Sequence, residues 1–292
     1  MHPALAPPVG RFAPSPTGPL HFGSLITAVA SYCDIKSRGG EWLVRIEDTD
    51  IPRIQAGAEQ QILDTLEAFG LWSDRPIVRQ QDRLAQYEQA LTQLAAQGLT
   101  YACACSRKTL QGHTRYPATC RDAALDPAEH AIRLKVDDID LWFDDRIQGR
   151  QHENLHHSLG DFVLKRRDGI ISYQLAVVVD DAAQGVTEVM RGADLLDNTA
   201  RQMWLGDCLG LPRLTYAHLP LAINALGQKL SKQNLAQPLV NRQASTLLRQ
   251  ALLALGQPDP CAGSPAQLLQ HGVRHWQLSQ VRRHTQLEGV YQ

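Results

Sequence analysis

The sequence predicts an α/β fold: a core of alternating strands and helices, split by an inserted domain and followed by a short helical C-terminal region. Three observations carry this. Apolar runs with strand and helix periodicity alternate over residues 8–98. The texture then changes over 99–169 to cysteines, β-like runs and charged turns, and the core pattern resumes over 170–237. Residues 238–292 read as short helices, with 257–265 as a linker.

Taken in order, the short run before Arg11 feeds a proline-rich loop, residues 25–36 read as a helix and 42–46 as a strand, which together make a βαβ unit. Residues 58–69 and 82–96 carry helical periodicity, and each run ends at a glycine, Gly70 or Gly98. Within the insertion AIRLKV and LWF are β-like. SYQLAVVVDD, VTEVMRG, NTARQMWLGDCLG and LTYAHLPLAI then restore the core. In open α/β sheets a ligand sits outside the carboxyl ends of the strands, near the point where strand order reverses. That rule selects the loops carrying Ser15, Glu47, Arg191 and Lys232.

Composition sets bounds on function. The 292 residues are 43% hydrophobic, enough for one large body with an added lobe. A net charge of −1 argues against non-specific polyanion binding through overall charge. Local basic runs remain, at Lys165 to Arg167, at Arg146 with Arg150, and at Arg282 with Arg283. No stretch approaches the ~18 apolar residues of a membrane span, and MHPALAPPVG lacks a basic region followed by an apolar core. A cytoplasmic protein without membrane or DNA partners is expected. The six cysteines imply no disulfide framework.

Two segments carry the chemistry, RFAPSPTGPLHFGS (11–24) and GQKLSKQ (227–233). Gly23 lets the backbone approach a nucleotide, a helix start offers free N–H groups to phosphate, and His21 can donate to phosphate oxygens. Pro14, Pro16 and Pro19 stiffen the loop. Lys229 and Lys232 can turn two ammonium groups toward one polyphosphate. A third segment, YACACSRKTLQGHTRYPATC, places Cys103, Cys105 and Cys120 within eighteen residues, the pattern of a structural zinc site. Three thiols leave the fourth ligand open, and chemistry alone favours His113.

HFGS and KLSKQ resemble the two nucleotide-binding signatures of the class I aminoacyl-tRNA synthetases. RFAPSPTG, LVRIEDTD (43–50), SYQLAVVVDD (172–181) and VMRGADLL (189–196) extend the resemblance to the glutamyl-tRNA synthetases, from Gly10 to about Gln237. The resemblance implies a Rossmann-type catalytic core, glutamyl-adenylate formation from ATP with Mg²⁺, and catalytic roles for His21 and Lys232. It assigns ATP to His21, Gly23, Ser24, Lys229 and Lys232, and glutamate to Arg11, Ala13, Ser15, Glu47, Tyr173 and Arg191. Arg11 and Arg191 would grip carboxylates, Glu47 would pair the α-ammonium, and Tyr173 would donate a hydrogen bond. Glutamine-type relatives carry an acidic residue at the position of Ser15, which favours glutamate here. The resemblance also nominates Tyr116 as the fourth zinc ligand beside Cys103, Cys105 and Cys120, in an insertion that faces RNA.

Few residues follow the KLSKQ segment, so an anticodon-reading module of the usual size is not expected. This brings the chain nearest to the truncated relatives called glutamyl-Q tRNA(Asp) synthetases, which attach glutamate to queuosine in the anticodon loop of tRNA(Asp). A splayed base held on its exposed edges would suit such a site. Two other readings fit the same residues: a compact enzyme charging a tRNA 3′ end, and a non-catalytic paralogue that binds RNA or glutamate.

Overall fold

In the computed structural model, residues 6–222, 237–283 and 286–287 are described. The elements are β1 (Val9–Phe12), α1 (Phe22–Lys36), β2 (Glu41–Ile46), α2 (Ala58–Ala68), β3 (Val78–Arg79), α3 (Leu84–Ala96), β4 (Thr100–Cys103), β5 (Ala131–Leu134), β6 (Leu141–Asp145), β7 (Gly149–Glu153), α4 (Leu155–Ser158) and β8 (Phe162–Lys165). They continue with α5 (Tyr173–Ala183), β9 (Glu188–Gly192), α6 (Thr199–Leu209), β10 (Thr215–Leu219), β11 (Leu221–Ala222), α7 (Ala244–Ala254), α8 (Pro265–His275) and β12 (Gln286–Leu287).

Five strands form a parallel sheet in the order β10-β9-β1-β2-β3. β1 is central, and the chain runs outward from it first through β2 and later through β9. The strand order therefore reverses between β1 and β9. β2 is apolar along most of its length because a central parallel strand is covered on both faces. Trp42 stacks on Phe12 at 6.2 Å, and its indole N–H donates to Ser31 in α1 at 3.0 Å.

α1 is buried almost all round, which its composition permits, since no acid or base interrupts it before Asp34. One face lies on the sheet and the other takes α7 and α8. Gly10 sets the first approach, because a Cβ there would sit 2.5 Å from the Ile35 side chain. Gly272 sets the second: a Cβ would lie 2.8 Å from Leu252 and 2.9 Å from Cys33. The Cys33 thiol is sealed in this contact, and burial raises its pKa, so it stays a protonated, inert packing group.

The segment between α3 and α5 builds a three-stranded antiparallel sheet, β4-β5-β8, and a separate β6-β7 hairpin. Its apolar side chains, Leu134, Leu155 and Leu164, share one cluster with Leu94 of α3, Leu175 of α5 and Leu205 of α6. The hairpin leans on the parallel sheet, with Phe143 edge-on to Tyr216 and the Arg146 N–H on the Tyr216 carbonyl at 2.9 Å. Arg146 also pairs with Asp34 and Glu188 and is thus committed to structure.

Local differences from the sequence expectation have local causes. α1 starts three residues earlier than expected, because HFGS forms its first turn. α3 starts at Leu84, since Gln80–Arg83 is a 3-10 turn whose Gln80 and Arg83 side chains are drawn onto the buried Asp180. Arg191 sits within β9 rather than in a loop. Gly70 and Gly98 follow α2 and α3 with φ of +72° and +69°, as a left-handed terminus requires. No described helix is long and apolar enough to cross a membrane.

Candidate active site

A cavity of about 500 Å³ opens at the carboxyl ends of β1 and β9, where the strand order reverses. Arg11, Ala13, Ser15, Glu47, Tyr173 and Arg191 all line it, and so do His21, Gly23 and Ser24. Lys229 and Lys232 lie outside the described residues.

One side of the cavity is the start of α1. His21 is its N-cap, with extended backbone, and its Nδ1 accepts from the Ser24 N–H at 3.4 Å. Its Nε2 lies 3.2 Å from the Ser24 hydroxyl. The first turn carries no acidic side chain, so its N–H groups and the helix dipole present positive potential to the cavity.

The floor is a buried charge network. Arg11 donates through Nε to Asp181 at 3.1 Å, and Arg45 donates to the same Asp181 oxygen at 2.7 Å. Arg45 reaches Glu47 at 3.1 Å with its other terminal nitrogen. Burial pushes the Asp181 carboxyl up, but the Arg11 and Arg45 guanidiniums outweigh it and hold the pKa below its ordinary value. For Glu47 the balance reverses: burial outweighs Arg45 and Arg11 and raises the pKa. An ammonium in the cavity would favour its ionised form.

Arg191 is held from every side. Its Nε donates to His218 Nε2 at 3.0 Å, Nη1 to Gln202 at 2.7 Å and Tyr173 Oη at 3.3 Å, and Nη2 to Thr199 at 3.0 Å. Because Tyr173 accepts from Arg191, its own O–H is left to donate. His218 is fully buried and faces Asp145 through Nδ1 at 2.6 Å. Burial lowers the His218 pKa, Arg191 adds to this, and Asp145 only partly offsets it. The ring is neutral, with its proton on Nδ1 toward Asp145 and Nε2 accepting from Arg191. Asp145 ends β6, so the inserted hairpin reaches into the support of this arginine.

The cysteine cluster is apart from this cavity. Cys103, Cys105 and Cys120 bring their sulfurs within 4.8 Å of one another, with Cys105 and Cys120 3.6 Å apart. The Tyr116 hydroxyl lies 3.3 Å from the Cys103 sulfur and 3.9 Å from that of Cys105. Tetrahedral zinc with Zn–S of about 2.3 Å needs sulfur separations of ~3.8 Å, so the donor set fits that ion. The geometry brings Tyr116 to the thiols and leaves His113 exposed outside the group.

Several supporting residues carried no assigned role in the sequence: Asp181, Thr199, Gln202, His218 and Asp145. Their signal was present as polar side chains within apolar runs, VVVDD and YAHLPL above all.

The strand order and the helix start facing a cavity lined by two buried arginines define a Rossmann-type α/β core with its candidate site at the strand-order reversal. Residues 9–254 match the family described as tRNA synthetases class I (E and Q), catalytic domain. The chain is 60% identical over 283 residues to glutamyl-Q tRNA(Asp) synthetase of Acinetobacter baylyi, covering 97% of each, and 50% identical over 279 residues to that of Ectopseudomonas mendocina, covering 94% of this chain and 95% of that one. Among solved structures it is similar to a glutamate tRNA ligase from Elizabethkingia meningosepticum in complex with its amino acid, with a TM-score of 0.80 at 25% identity, covering 97% of this chain and 67% of that one. The chain belongs to the class I tRNA synthetases for glutamate and glutamine and, within them, groups with the glutamyl-Q tRNA(Asp) synthetases.

Proposed function

We propose that this chain activates L-glutamate with ATP and transfers the glutamyl group to queuosine in the anticodon loop of tRNA(Asp). The observation that carries the activation step is the convergence of the HFGS helix start and the glutamate-type residues on one cavity at the strand-order reversal. The names of the relatives at 60% and 50% identity support the acceptor.

In this reading a carboxylate oxygen of glutamate attacks the α-phosphorus of ATP, and the bond to the β-phosphate oxygen breaks to release pyrophosphate. His21, the first-turn N–H groups, Lys229 and Lys232 offset the charge on the phosphates. Arg11 and Arg191 pair carboxylates, Ser15 and Tyr173 hydrogen-bond the ligand, Ala13 leaves room, and Glu47 takes the ammonium. Mg²⁺ carried by ATP would offset part of the polyphosphate charge beside these groups. A cyclopentenediol hydroxyl of queuosine then attacks the activated carbonyl, its proton is lost to solvent or phosphate, and AMP leaves. Zinc on Cys103, Cys105, Tyr116 and Cys120 would brace the strand and loop of the insertion.

The test is ATP-dependent transfer of labelled glutamate to two tRNA pools, one containing queuosine and one from cells unable to make it. Label confined to the first is the expected result. Equal label in both would move the reaction to the 3′ end, and none in either would favour a non-catalytic protein.

The metal assignment has its own readout. Purified protein is expected to carry about one zinc per chain. Cys105→Ser and Tyr116→Phe should both lower the content, whereas His113→Ala should leave it unchanged. Loss of zinc in the histidine variant with retention in Tyr116→Phe would replace Tyr116 by His113.

A further inference from the structure

A second cavity, of about 160 Å³, lies beside the cysteine cluster and shares no lining residue with the substrate cavity. Arg115, Arg133 and Arg201 line it, together with His113 and Asp161. The acid is already satisfied: Asp161 accepts both arms of Arg121 at 2.6 and 2.8 Å, the Tyr101 hydroxyl at 2.6 Å and the Val136 N–H at 2.9 Å. The cavity is therefore left cationic.

Arg201 is the informative residue. Among the described residues its guanidinium makes no hydrogen bond or ion pair, and its Nε is fully buried. A buried cationic N–H without a partner is costly, and it shows that no protein group among the described residues neutralises this guanidinium at the cavity wall. Arg133 is half used: Nε donates to the Cys103 sulfur at 3.2 Å and Nη1 to the Asp161 carbonyl at 2.7 Å, with its other terminal nitrogen unbonded among the described residues. Arg115 stands at the mouth, 3.0 Å from His156 Nε2.

We infer that this cavity binds a phosphate of the RNA backbone. The guanidinium fork matches phosphate oxygens, and several forks around a small volume suit one tetrahedral anion. A chain with net charge −1 has no long-range pull on RNA, so its phosphate contacts must be made by local cationic sites such as this. The inference rests on tRNA as the acceptor and holds for either the anticodon loop or the 3′ end. α6 links the two sites. Thr199 holds Arg191 of the substrate cavity, and Arg201, two positions along and ~200° around the helix, faces the other way.

The experiment is direct binding of fluorescent tRNA, with and without queuosine, across a salt series, so that it reads binding whether or not glutamate is transferred. Arg201→Gln is expected to weaken binding about tenfold for both RNAs and to lower the slope of log affinity against log salt by about 1. Arg201→Lys should restore the slope. Glutamate-dependent ATP–pyrophosphate exchange and melting temperature should stay at wild-type values in both variants. An unchanged slope in Arg201→Gln overturns the inference, as does parallel loss of exchange or melting temperature in both variants, which would make Arg201 a packing residue. Inorganic phosphate should compete with RNA in the wild type and lose that effect in Arg201→Gln. Phosphate binding with unaltered RNA affinity would assign the cavity to a free anion and overturn the RNA assignment.

Discussion

Replacing Arg191 by alanine is expected to lower kcat/KM for glutamate in ATP–pyrophosphate exchange by about 10–10²-fold. The figure follows from the single N–H that His218, Gln202, Tyr173 and Thr199 leave to a ligand: one charge-assisted hydrogen bond from it to a carboxylate contributes about 1.5–3 kcal/mol in a site screened from water. The geometry explains why the guanidinium can contribute so much. His218, Gln202, Tyr173 and Thr199 fix its plane before any ligand arrives, so little freedom is lost on binding. Removing the side chain also strands those partners, so part of the loss could come from local collapse. Arg191→Lys separates the effects: it keeps the charge and most of the packing but loses the guanidinium geometry, and a rise of up to about tenfold in KM with an unchanged melting temperature is expected. A KM for glutamate within threefold of wild type in Arg191→Ala would remove this residue from the substrate site.

The parts of the site that lie close to the chain's local signals were legible in the sequence. His21, Gly23 and Ser24 are consecutive with the loop from β1, so a proline-stiffened segment before an apolar helix is enough to place them together. Glu47 and Arg191 sit at or just beyond strand ends, where the strand-order rule puts ligands, whereas Arg11 was assigned by resemblance. The supports were not legible, because each joins distant segments: Asp145 reaches His218 across 73 positions, and Arg11 reaches Asp181 across 170. No periodicity encodes such a pair. A single acid at the end of an apolar helix reads equally as a cap or a solvated tip until the fold shows it enclosed. The same holds for the insertion. Its cysteines and β-like runs stood out by composition, but its apolar side merges with α3, α5 and α6 into one cluster that only tertiary packing reveals. Tyr116 was chosen over His113 by resemblance alone; its hydroxyl lies against two thiols, the arrangement that reading requires.

Asp181→Asn should destabilise the protein by about 3–5 kcal/mol, the cost of breaking a buried ion pair from one side. Asp181 is 5% exposed at its side chain and stands between Arg11 at 4% and Arg45 at 0%, so an amide there leaves two guanidiniums facing each other with only Glu47 and Asp180 nearby. The pH dependence gives an independent check. The folded pKa of Asp181 lies below its ordinary 3.8, so its stabilisation is complete above that value and is lost as pH falls through the folded pKa. Glu47 acts with the opposite sign: its folded pKa lies above 4.5, so its ionised form weakens the folded state, and protonation on acidification relieves that. In urea titrations the wild type and Asp181→Asn should therefore differ most at neutral pH and converge below pH 3.8. A difference under 1 kcal/mol at neutral pH, or one that persists undiminished in acid, would mean the network is not what holds Arg11 in place. Because Arg11 would grip a substrate carboxylate from this scaffold, the same variant should raise KM for glutamate even where the fold survives. That joins the stability of the core to the chemistry at its surface through one shared carboxylate.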